Sequence, residues 1–384
     1  MVQNLFILFL CHMTNLSPTS LHLIQTDAAR THLISTLEKE DVLCVDTEFH
    51  SENRYTPKLM LLQIADLRQN TWIVDPLQID ITPLAAILKK KPLILHGCTE
   101  DVRILQRRLF FTPSAIFDTQ IAAALLGIYY PTSLNGIIKA CFGIQDPQQQ
   151  TLSDWSKRPL SEQQLSYAAY DVSCLGPLFL YFQDKLKHRQ QQVQTICSEF
   201  VHNALHPNLE KEWLQWGVTK TLSQTAINIL HELLLWREKQ AQQQNKPSNY
   251  ILPKRIAIDI AKRHPKTIPE LRQNRRMNGV LIKKHGNALI QCVQKGEISG
   301  HQFQPLSTKE IRFADVLRSW AFAFSQSIDI DANLLLPQPL SLQIASDGPQ
   351  ILQGWRRDLL LEPLQEFISG KTHLYIDNQQ LYVQ

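Results

Sequence analysis

Two acidic residues stand one position apart at the end of an apolar run, in the stretch VLCVDTEFHSENRY that covers residues 42–55. Side chains two positions apart on a strand share one face of a sheet, so Asp46 and Glu48 should project together while Thr47 turns to the other face. Neighbouring carboxylates repel each other unless a cation neutralises them. The pair therefore suggests a metal site, although a solvated strand end is the commoner explanation for such a pair taken alone.

A second acidic segment, LILHGCTEDVRILQRRL, covers residues 93–109. Its pattern predicts a strand that passes through Gly97 into a helix capped by Thr99, with Glu100 and Asp101 in the first helical turn. Acids in a first turn also complement the helix dipole, which is the plain explanation for them. Spacing alone does not decide which of the two acids could join the first pair.

A third segment, LSEQQLSYAAYDVSCLGPLF, covers residues 160–179 and has a helical pattern. Tyr167 and Asp171 stand at positions i and i+4, so they lie on one face of this helix. Such a spacing is unremarkable singly. The value of the three segments lies in their order: an acidic pair that ends a strand, an acid that opens a helix, and a helix with Tyr and Asp on one face.

The elements that must position these side chains follow the pattern of an α/β domain, in which short apolar runs alternate with helical patterns. The strand candidates are VLCVDTEF, LMLLQIAD, TWIVD and LILHGC. Short polar connections predict that the first three form an antiparallel meander, while the fourth follows the amphipathic stretch ITPLAAILKK and returns in parallel. We therefore expect a mixed sheet with helices packed on it.

The second half of the chain is predicted to be helical, because strand signals vanish beyond about residue 205. Segments such as TAINILHELLLWREKQAQQ and IRFADVLRSWAFAFSQ place apolar residues at helical spacing. The stretch GEISGHQFQPLST, residues 296–308, contains glycines and a proline and is predicted to link two helical blocks.

The composition limits the classes of function. With 384 residues and 44% apolar residues, the chain is long enough for two or three globular domains. A formal charge of +4 is weakly basic, which is compatible with handling a polyanion. The seven cysteines are scattered without a CxxC pair, and the histidines form no HExxH motif, so we expect neither disulfides nor a zinc site. A reducing, cytoplasmic setting fits best.

The N-terminal stretch LFILFLC resembles the apolar core of a signal peptide. It lacks a positively charged flank and a convincing cleavage site, and it is too short to span a bilayer. We expect translation to begin at Met13, which would make residues 1–12 a misassigned extension.

In this order and context, the acids resemble those of the DEDDy 3′-5′ exonucleases, and specifically of ribonuclease D. The likeness extends to the segments DTEF, YTPKLMLLQIAD, HGCTED, FDTQIAAALLG and DWSKRPLSEQQLSYAAYDV. It implies a ribonuclease H-like (DnaQ-like) α/β exonuclease domain over residues 1–205. WREKQA and NYILPKRIAIDIAK resemble an HRDC helical domain, expected over residues 206–300, and ILQGWRRDLLLEPL resembles a second, divergent HRDC-like helical domain over residues 301–384.

The resemblance implies that Asp46, Glu48, Asp101 and Asp171 hold two divalent cations, with Tyr167 beside them. Four carboxylates in one site need about two dications for neutrality, and their hard oxygen atoms favour Mg²⁺ or Mn²⁺ over zinc. We expect Asp46 to touch both ions and Glu48 only the ion that activates water. A tyrosine is a poor base at neutral pH, so Tyr167 is expected to orient the attacking water.

The implied reaction is metal-dependent hydrolysis of the terminal phosphodiester at a free 3′ end of RNA, which releases nucleoside 5′-monophosphates. The resemblance suggests tRNA precursors as substrates, and a monomer with no obligate protein partner and no membrane attachment. Two alternatives stay open. One is the same chemistry on DNA, because only contacts to the 2′-hydroxyl separate the two substrates. The other is a catalytically silent RNA-binding module, which the intact set of five residues argues against.

Residues around the site carry further expectations. Thr47 and Phe49 are candidates for substrate contacts, although a core role is about as frequent for an aromatic residue after a buried strand. Asp118 is predicted to cap the helix TQIAAALLG. The family usually has a Lys shortly before the DW pair, where this chain reads QDPQQQTLSDW, and Tyr170 replaces the usual small residue before Asp171. These departures concern affinity and substrate choice and leave the metal ligands intact.

Short basic runs occur in the first helical block, where the resemblance suggests that they guide RNA. Most such runs are solvated helix faces or turns rather than phosphate contacts. The residues concerned are Arg275, Arg276, Lys283 and Lys284.

Overall fold

The structure of the chain is a computed structural model that describes residues 16–51, 53–144, 154–206, 222–299 and 306–384. The predicted start at Met13 and the extension over residues 1–12 lie outside these ranges. So does the stretch QDPQQQTLS before the DW pair, in which the family's usual Lys is missing.

The N-terminal half builds a six-stranded mixed sheet. Its strands are, in chain order, β1 (Ser20–Ile24), β2 (Leu43–His50), β3 (Lys58–Ala65), β4 (Asn70–Val74), β5 (Leu93–Leu95) and β6 (Ile116–Asp118). In space they follow the order β1-β4-β3-β2-β5-β6. The predicted antiparallel meander of β2, β3 and β4 and the parallel return of β5 beside β2 are confirmed. The sequence pattern misses the two edge strands, since β1 is mostly exposed and β6 has only three residues.

β2 lies in the middle of this sheet, so its apolar residues are buried on both faces. Val45 belongs to the main hydrophobic core on one face, and Cys44 belongs to a smaller core on the other. By the same alternation, Asp46 and Glu48 share the face of Cys44, whereas Thr47 shares the face of Val45.

Helices cover both faces of the sheet, which confirms the predicted α/β architecture. They are α1 (Asp27–Leu37), α2 (Leu84–Lys90), α3 (Thr99–Leu109), α4 (Thr119–Ala124), α5 (Leu134–Phe142), α6 (Glu162–Ser173), α7 (Leu175–Lys185) and α8 (Gln190–Leu205). α6 crosses β4, β3 and β2 on the face that carries Asp46 and Glu48. α3 packs into the main core on the opposite face.

The first C-terminal helical block has a core of its own. Its helices are α9 (Gln224–Gln244), α10 (Ser248–Ile251), α11 (Lys254–Arg263), α12 (Ile268–Arg272) and α13 (Gly279–Ile298). The two long helices α9 and α13 pack side by side and bury apolar residues that include Leu230, Leu233, Leu289 and Val293.

The second helical block shares its core with the sheet domain. It consists of α14 (Thr308–Ile328), α15 (Ala332–Leu335), α16 (Gln338–Asp347), a 3-10 turn (Pro349–Ile351) and α17 (Gly354–Ile368). Trp320, Leu334 and Leu360 belong to the same buried cluster as residues of β2 and α3. Of all the helices in the described ranges, none is both long and apolar enough to cross a membrane.

The prediction that strands end near residue 205 is wrong at the C-terminus. β7 (Leu374–Asp377) and β8 (Gln380–Val383) form an antiparallel hairpin. Asn378 and Gln379, which join them, both have positive φ, at 45° and 65°. A two-residue turn of this kind normally carries Asn-Gly, and the absence of glycine here hides the hairpin from sequence reasoning.

Candidate active site

Three carboxylates meet where the catalytic candidates of β2 face α6. Asp46, Glu48 and Asp171 each offer one carboxylate oxygen, and these oxygen atoms all lie within 4.8 Å of one another. β2 supplies the first two because side chains two positions apart share a face, and α6 crosses that face with Asp171 turned toward them. All three residues are partly buried. Oxygen atoms at this spacing can share a small divalent cation after modest side-chain rotation.

Asp101 approaches the same place from the other face of the sheet. It lies in the first turn of α3 and is only 8% exposed. The Thr47 hydroxyl donates a hydrogen bond of 2.5 Å to Asp101 Oδ1. Thr47 therefore turns away from Asp46 and Glu48, as expected, but it meets a fourth carboxylate there. Asp101 is near enough to influence Asp46 and Glu48 electrostatically, although it is outside the tight group of three.

The neighbouring acid Glu100 points elsewhere. Its side chain is half exposed and forms an ion pair with Arg103 on the same helix. Of the two acids of this turn, Asp101 is the one whose side chain contacts β2, through Thr47. The predicted cap is wrong: Thr99 is the first residue of α3, and the N-cap position belongs to Cys98, whose side chain makes no capping hydrogen bond.

Asp118 holds the turn before α3 through hydrogen bonds from the backbone amides of that turn. Its carboxylate accepts hydrogen bonds from the backbone amides of Gly97 at 3.0 Å and Cys98 at 2.8 Å. It also accepts one from the amide of Gln120 at 2.8 Å, which confirms the predicted cap of α4. Gly97 has a φ of +66°, a conformation that suits glycine. Asp118 therefore fixes the start of α3, and with it the position of Asp101.

Tyr167 stands one helical turn before Asp171 and shares a hydrogen bond with it. The ring of Trp155, from the DW pair, packs against the Tyr167 ring with 6.1 Å between their centres. The helix that carries both site residues begins with a capping box, in which Ser161 and Gln164 bond each other's backbone amides. These contacts hold the tyrosine hydroxyl beside the carboxylates.

Burial and mutual repulsion raise the pKa values of the site acids. Burial, followed by the neighbouring carboxylates, holds the pKa of Asp46 well above its usual range. The same two causes raise the pKa of Glu48 to about 8. Burial raises the pKa of Asp101 to about 6, although the hydrogen bond from Thr47 opposes the shift. Burial first, and then the Asp171 carboxylate, raises the pKa of Tyr167, so its hydroxyl stays protonated at neutral pH.

The donor set fits a hard divalent cation. All four candidate ligands are carboxylates, and oxygen ligands favour Mg²⁺, Mn²⁺ or Ca²⁺ over softer metals. A bound cation would also relieve the repulsion that keeps these acids protonated. The cluster is therefore compatible with divalent metal binding.

A buried ion pair that sequence reasoning missed anchors the segment before α6. Arg158 donates to Asp75, which follows β4, at 2.8 Å through Nη2 and 2.5 Å through Nε. It also donates to the backbone carbonyl oxygens of Met60 at 3.0 Å and Trp155 at 2.8 Å. Asp75 is fully buried, and burial by itself would raise the pKa of its carboxyl group. Hydrogen bonds, chiefly from Arg158, outweigh this effect and lower the pKa. The motif DWSKRPL contains the arginine, but nothing local to it reveals a partner 83 residues away.

The remaining candidates make contacts with other parts of the protein. Phe49 and Tyr170 are partly buried and pack against the main core, which gives both aromatic rings a structural contact. Among the basic residues expected to guide RNA, Lys284 donates to Gln244 on α9 at 2.7 Å.

Comparison with known families places two domains on this chain. Residues 21–187 match the family model described as a 3′-5′ exonuclease, and residues 227–293 match the HRDC domain. The first range contains every acidic and tyrosine candidate of the site, and the second lies within the helical block that has its own core.

Curated relatives resemble the chain over most of its length. Ribonuclease D of Pseudomonas paraeruginosa is 26% identical over 367 residues, which cover 89% of this chain and 96% of that protein. Ribonuclease D of Gluconacetobacter diazotrophicus is 27% identical over 387 residues, covering 94% of this chain and 95% of the relative.

Among solved structures, that of Escherichia coli RNase D, an exoribonuclease involved in structured RNA processing, superposes with a TM-score of 0.77. The match covers 92% of this chain and 99% of that one at 24% sequence identity. The catalytic core of RRP6 from Trypanosoma brucei matches more distantly, with a TM-score of 0.53 over 76% of this chain. These likenesses establish the fold from the sheet domain through the helical blocks.

Proposed function

We propose that the chain is a ribonuclease D-type 3′-5′ exoribonuclease, in which four carboxylates hold two divalent cations for the hydrolysis of terminal phosphodiesters in RNA. The observation that carries the proposal is the group of three carboxylate oxygens within 4.8 Å, with Asp101 and Tyr167 beside it. The ligands would be Asp46, Glu48, Asp101 and Asp171, and the ions would be Mg²⁺ or Mn²⁺.

The bound cations and the protein's own residues would each contribute to the reaction. Two bound cations would supply a lowered pKa for the attacking water and charge stabilisation for the transition state and the leaving 3′-oxygen. As expected from the sequence, Asp46 would serve both ions, and Glu48 would serve only the ion that activates water. Tyr167 remains protonated at neutral pH, so its hydroxyl would orient the water or a phosphate oxygen as a donor rather than act as a base.

Thr47 and Phe49 stay predictions as substrate contacts. The hydrogen bond from Thr47 to Asp101 supports a different role for its hydroxyl, which is to position a metal ligand. Phe49 follows Glu48 directly on β2, and its half-buried ring packs against the main core while it would border a terminal base with its exposed part.

We extend the proposal to substrate and setting. Structured RNA with a free 3′ end, such as a tRNA precursor, would be the substrate, in line with the described activity of the Escherichia coli neighbour. The domain boundaries would be residues 1–205, 206–300 and 301–384. The protein would act as a monomer in the cytoplasm, a reducing setting that agrees with the free thiols of the six cysteines in the described ranges.

Digestion of labelled RNA and DNA tests this function. We expect the protein, with Mg²⁺ or Mn²⁺, to shorten RNA one nucleotide at a time from the 3′ end, with release of nucleoside 5′-monophosphates. Asp46→Asn, Asp101→Asn and Asp171→Asn should each lower the rate by about 100-fold or more, because each removes charge from the metal site.

Glu100→Gln is the matched control, because this acid lies next to Asp101 in sequence but is half exposed and paired with Arg103. It should cleave at nearly the rate of the unaltered protein. Persistent cleavage in both Asp46→Asn and Asp171→Asn would show that the site is assigned wrongly. A preference for DNA over RNA would refute the substrate class and leave the metal chemistry standing.

A further inference from the structure

One polar side chain is buried in the sheet beneath α6 without a hydrogen-bond partner. Gln63 lies on β3 and is 0% exposed. Neither its side-chain nitrogen nor its side-chain oxygen has a partner among the described residues. Burying an amide without hydrogen bonds is unfavourable, and an apolar side chain of similar size would avoid the penalty. The chain therefore keeps a destabilising residue at this position.

The surroundings of Gln63 point to what it could serve. Across the sheet, Gln63 is paired with Asp46 of β2 on one side and with Ile73 of β4 on the other. Along β3, its neighbours on the same face are Leu61 and Ala65, both buried. Of these four neighbours, Asp46 is the only one with a polar side chain.

Helix α6 closes this face of the sheet with small apolar residues. Ala168 and Ala169 belong to the same buried cluster as Leu61 and Ile73, which flank Gln63. They exclude solvent from the amide, and Tyr167 and Asp171, which stand before and after them in the helix, lie near Asp46. In an antiparallel sheet, directly paired residues have Cβ atoms about 5 Å apart on one face, so the longer Gln63 side chain can reach the carboxylate opposite.

We propose that Gln63 is a positioning residue for Asp46, whose carboxylate accepts a hydrogen bond from the Gln63 amide when it turns one oxygen toward a divalent cation. This inference rests on the proposed function. A carboxylate that binds a metal with one oxygen needs a donor for its other lone pairs, and such outer hydrogen bonds fix the orientation of metal ligands. Gln63 meets this need with a neutral donor, so it adds no charge to the site.

The replacement Gln63→Met tests the inference, because methionine fills a similar volume without polar atoms. Two quantities are measured on the full chain: the melting temperature in the presence of a chelator, and the affinity for Mn²⁺ by titration calorimetry. A positioning role predicts opposite effects. The metal-free melting temperature should stay equal or rise, whereas the affinity for Mn²⁺ should fall by about tenfold or more. Raising the Mn²⁺ concentration should restore part of the lost exonuclease rate.

Thr71→Val is the matched control, since Thr71 is also fully buried on this face of the sheet but lies opposite Ala65 and bonds the Gln69 carbonyl oxygen. It should lower the metal-free melting temperature and leave the affinity for Mn²⁺ unchanged. If Gln63→Met behaves like this control, Gln63 is structural and the inference is wrong. If the unaltered chain binds no Mn²⁺, the proposed function fails and this inference fails with it. If the unaltered chain and Gln63→Met bind Mn²⁺ with the same affinity, this inference is wrong and the proposed function stands.

Discussion

The acids of the site are buried or partly buried and repel one another, so their charged forms are unfavourable. Asp46, Glu48 and Asp171 stand close together in a partly buried place, and Asp101 adds a fourth carboxylate from the opposite face of the sheet. Without a cation, burial and repulsion favour their protonated forms. A dication would compete with these protons for the same oxygen atoms, so metal binding and protonation should be linked.

This linkage predicts how stabilisation by metal depends on pH. Glu48 has its pKa raised from 4.5 to about 8, and Asp101 from 3.8 to about 6. In the metal-free protein, protonation of these two acids contributes to the free energy of unfolding. This contribution is fully present below the pKa values of the unfolded chain, and it is lost as the pH rises through the pKa values of the folded protein. The increase in melting temperature on adding Mg²⁺ should therefore grow from about pH 5 to about pH 8.5.

Melting curves with excess Mg²⁺ and with EDTA, recorded across that range, check this prediction. Asp46→Asn serves as the reference, because it should reduce the increase at every pH. An increase that is the same at low and high pH would contradict the linkage.

At the scale of elements, close helix packing in the first C-terminal block depends on one glycine. A Cβ atom at Gly296 of α13 would lie 2.4 Å from the Cα atom and 2.6 Å from the nitrogen of Ile229 on α9. Backbone atoms cannot rotate away as a side chain would, so the two helices would have to move apart. Gly296→Ala should destabilise the block by about 1–3 kcal/mol.

The same helix provides the control for this substitution. Gly279 is the first residue of α13, and a Cβ atom there would meet nothing within 4 Å. Gly279→Ala should be neutral or stabilise by up to about 1 kcal/mol, through the lower entropy of the unfolded chain. Thermal unfolding of both variants measures the difference. Equal effects would mean that α9 and α13 are not packed as closely as described.

The elements with strong periodicity could be predicted from sequence, and those that depend on distant partners could not. β2, β3 and β4 are mostly apolar runs with short connections, so both their existence and their pairing follow from the pattern. The hairpin of β7 and β8 has Asn378 and Gln379 at its turn, and this pair lacks the glycine by which such hairpins are recognised in a sequence.

The candidate site shows the same division. Asp46, Glu48, Tyr167 and Asp171 could be grouped because strand and helix periodicities put each pair on one face. The choice of Asp101 over Glu100 needed the direction of each side chain. The supporting contacts join residues far apart in the chain, such as Asp118 with Gly97 or Arg158 with Asp75, and no local pattern encodes those distances.

At the scale of the whole molecule, Tyr55 links the loop after β2 to the first C-terminal helical block, called the HRDC block because its residues 227–293 match that domain. Its hydroxyl hydrogen-bonds Glu238 of α9 and accepts from Gln242 at 3.1 Å. The Arg107 guanidinium lies over its ring, 5.5 Å from the centre. The backbone amide of Thr56 adds a bond of 2.9 Å to Asn245 Oδ1 at the end of α9. The strand that carries Asp46 and Glu48 is thus followed directly by a contact with the HRDC block.

Removal of the hydroxyl should loosen this contact without disturbing the ring. We expect Tyr55→Phe to speed amide hydrogen exchange roughly tenfold in residues 53–57 and in the last turn of α9, because a hydrogen bond to a charged partner is lost. Hydrogen exchange with mass spectrometry measures this effect. Tyr250→Phe, at a largely exposed tyrosine of the same block, should change nothing. Unchanged exchange in Tyr55→Phe would mean that the contact does not hold the two parts together.

Counting bound ions tests most directly whether Asp46, Glu48, Asp101 and Asp171 form one site for divalent cations. Equilibrium titration of the full chain with Mn²⁺ near neutral pH should find about two ions per molecule. Asp46→Asn should reduce the number to one or fewer, whereas Glu100→Gln should leave it unchanged. If Asp46→Asn binds the same number of Mn²⁺ ions with the same affinity as the unaltered protein, the metal site is not where we place it.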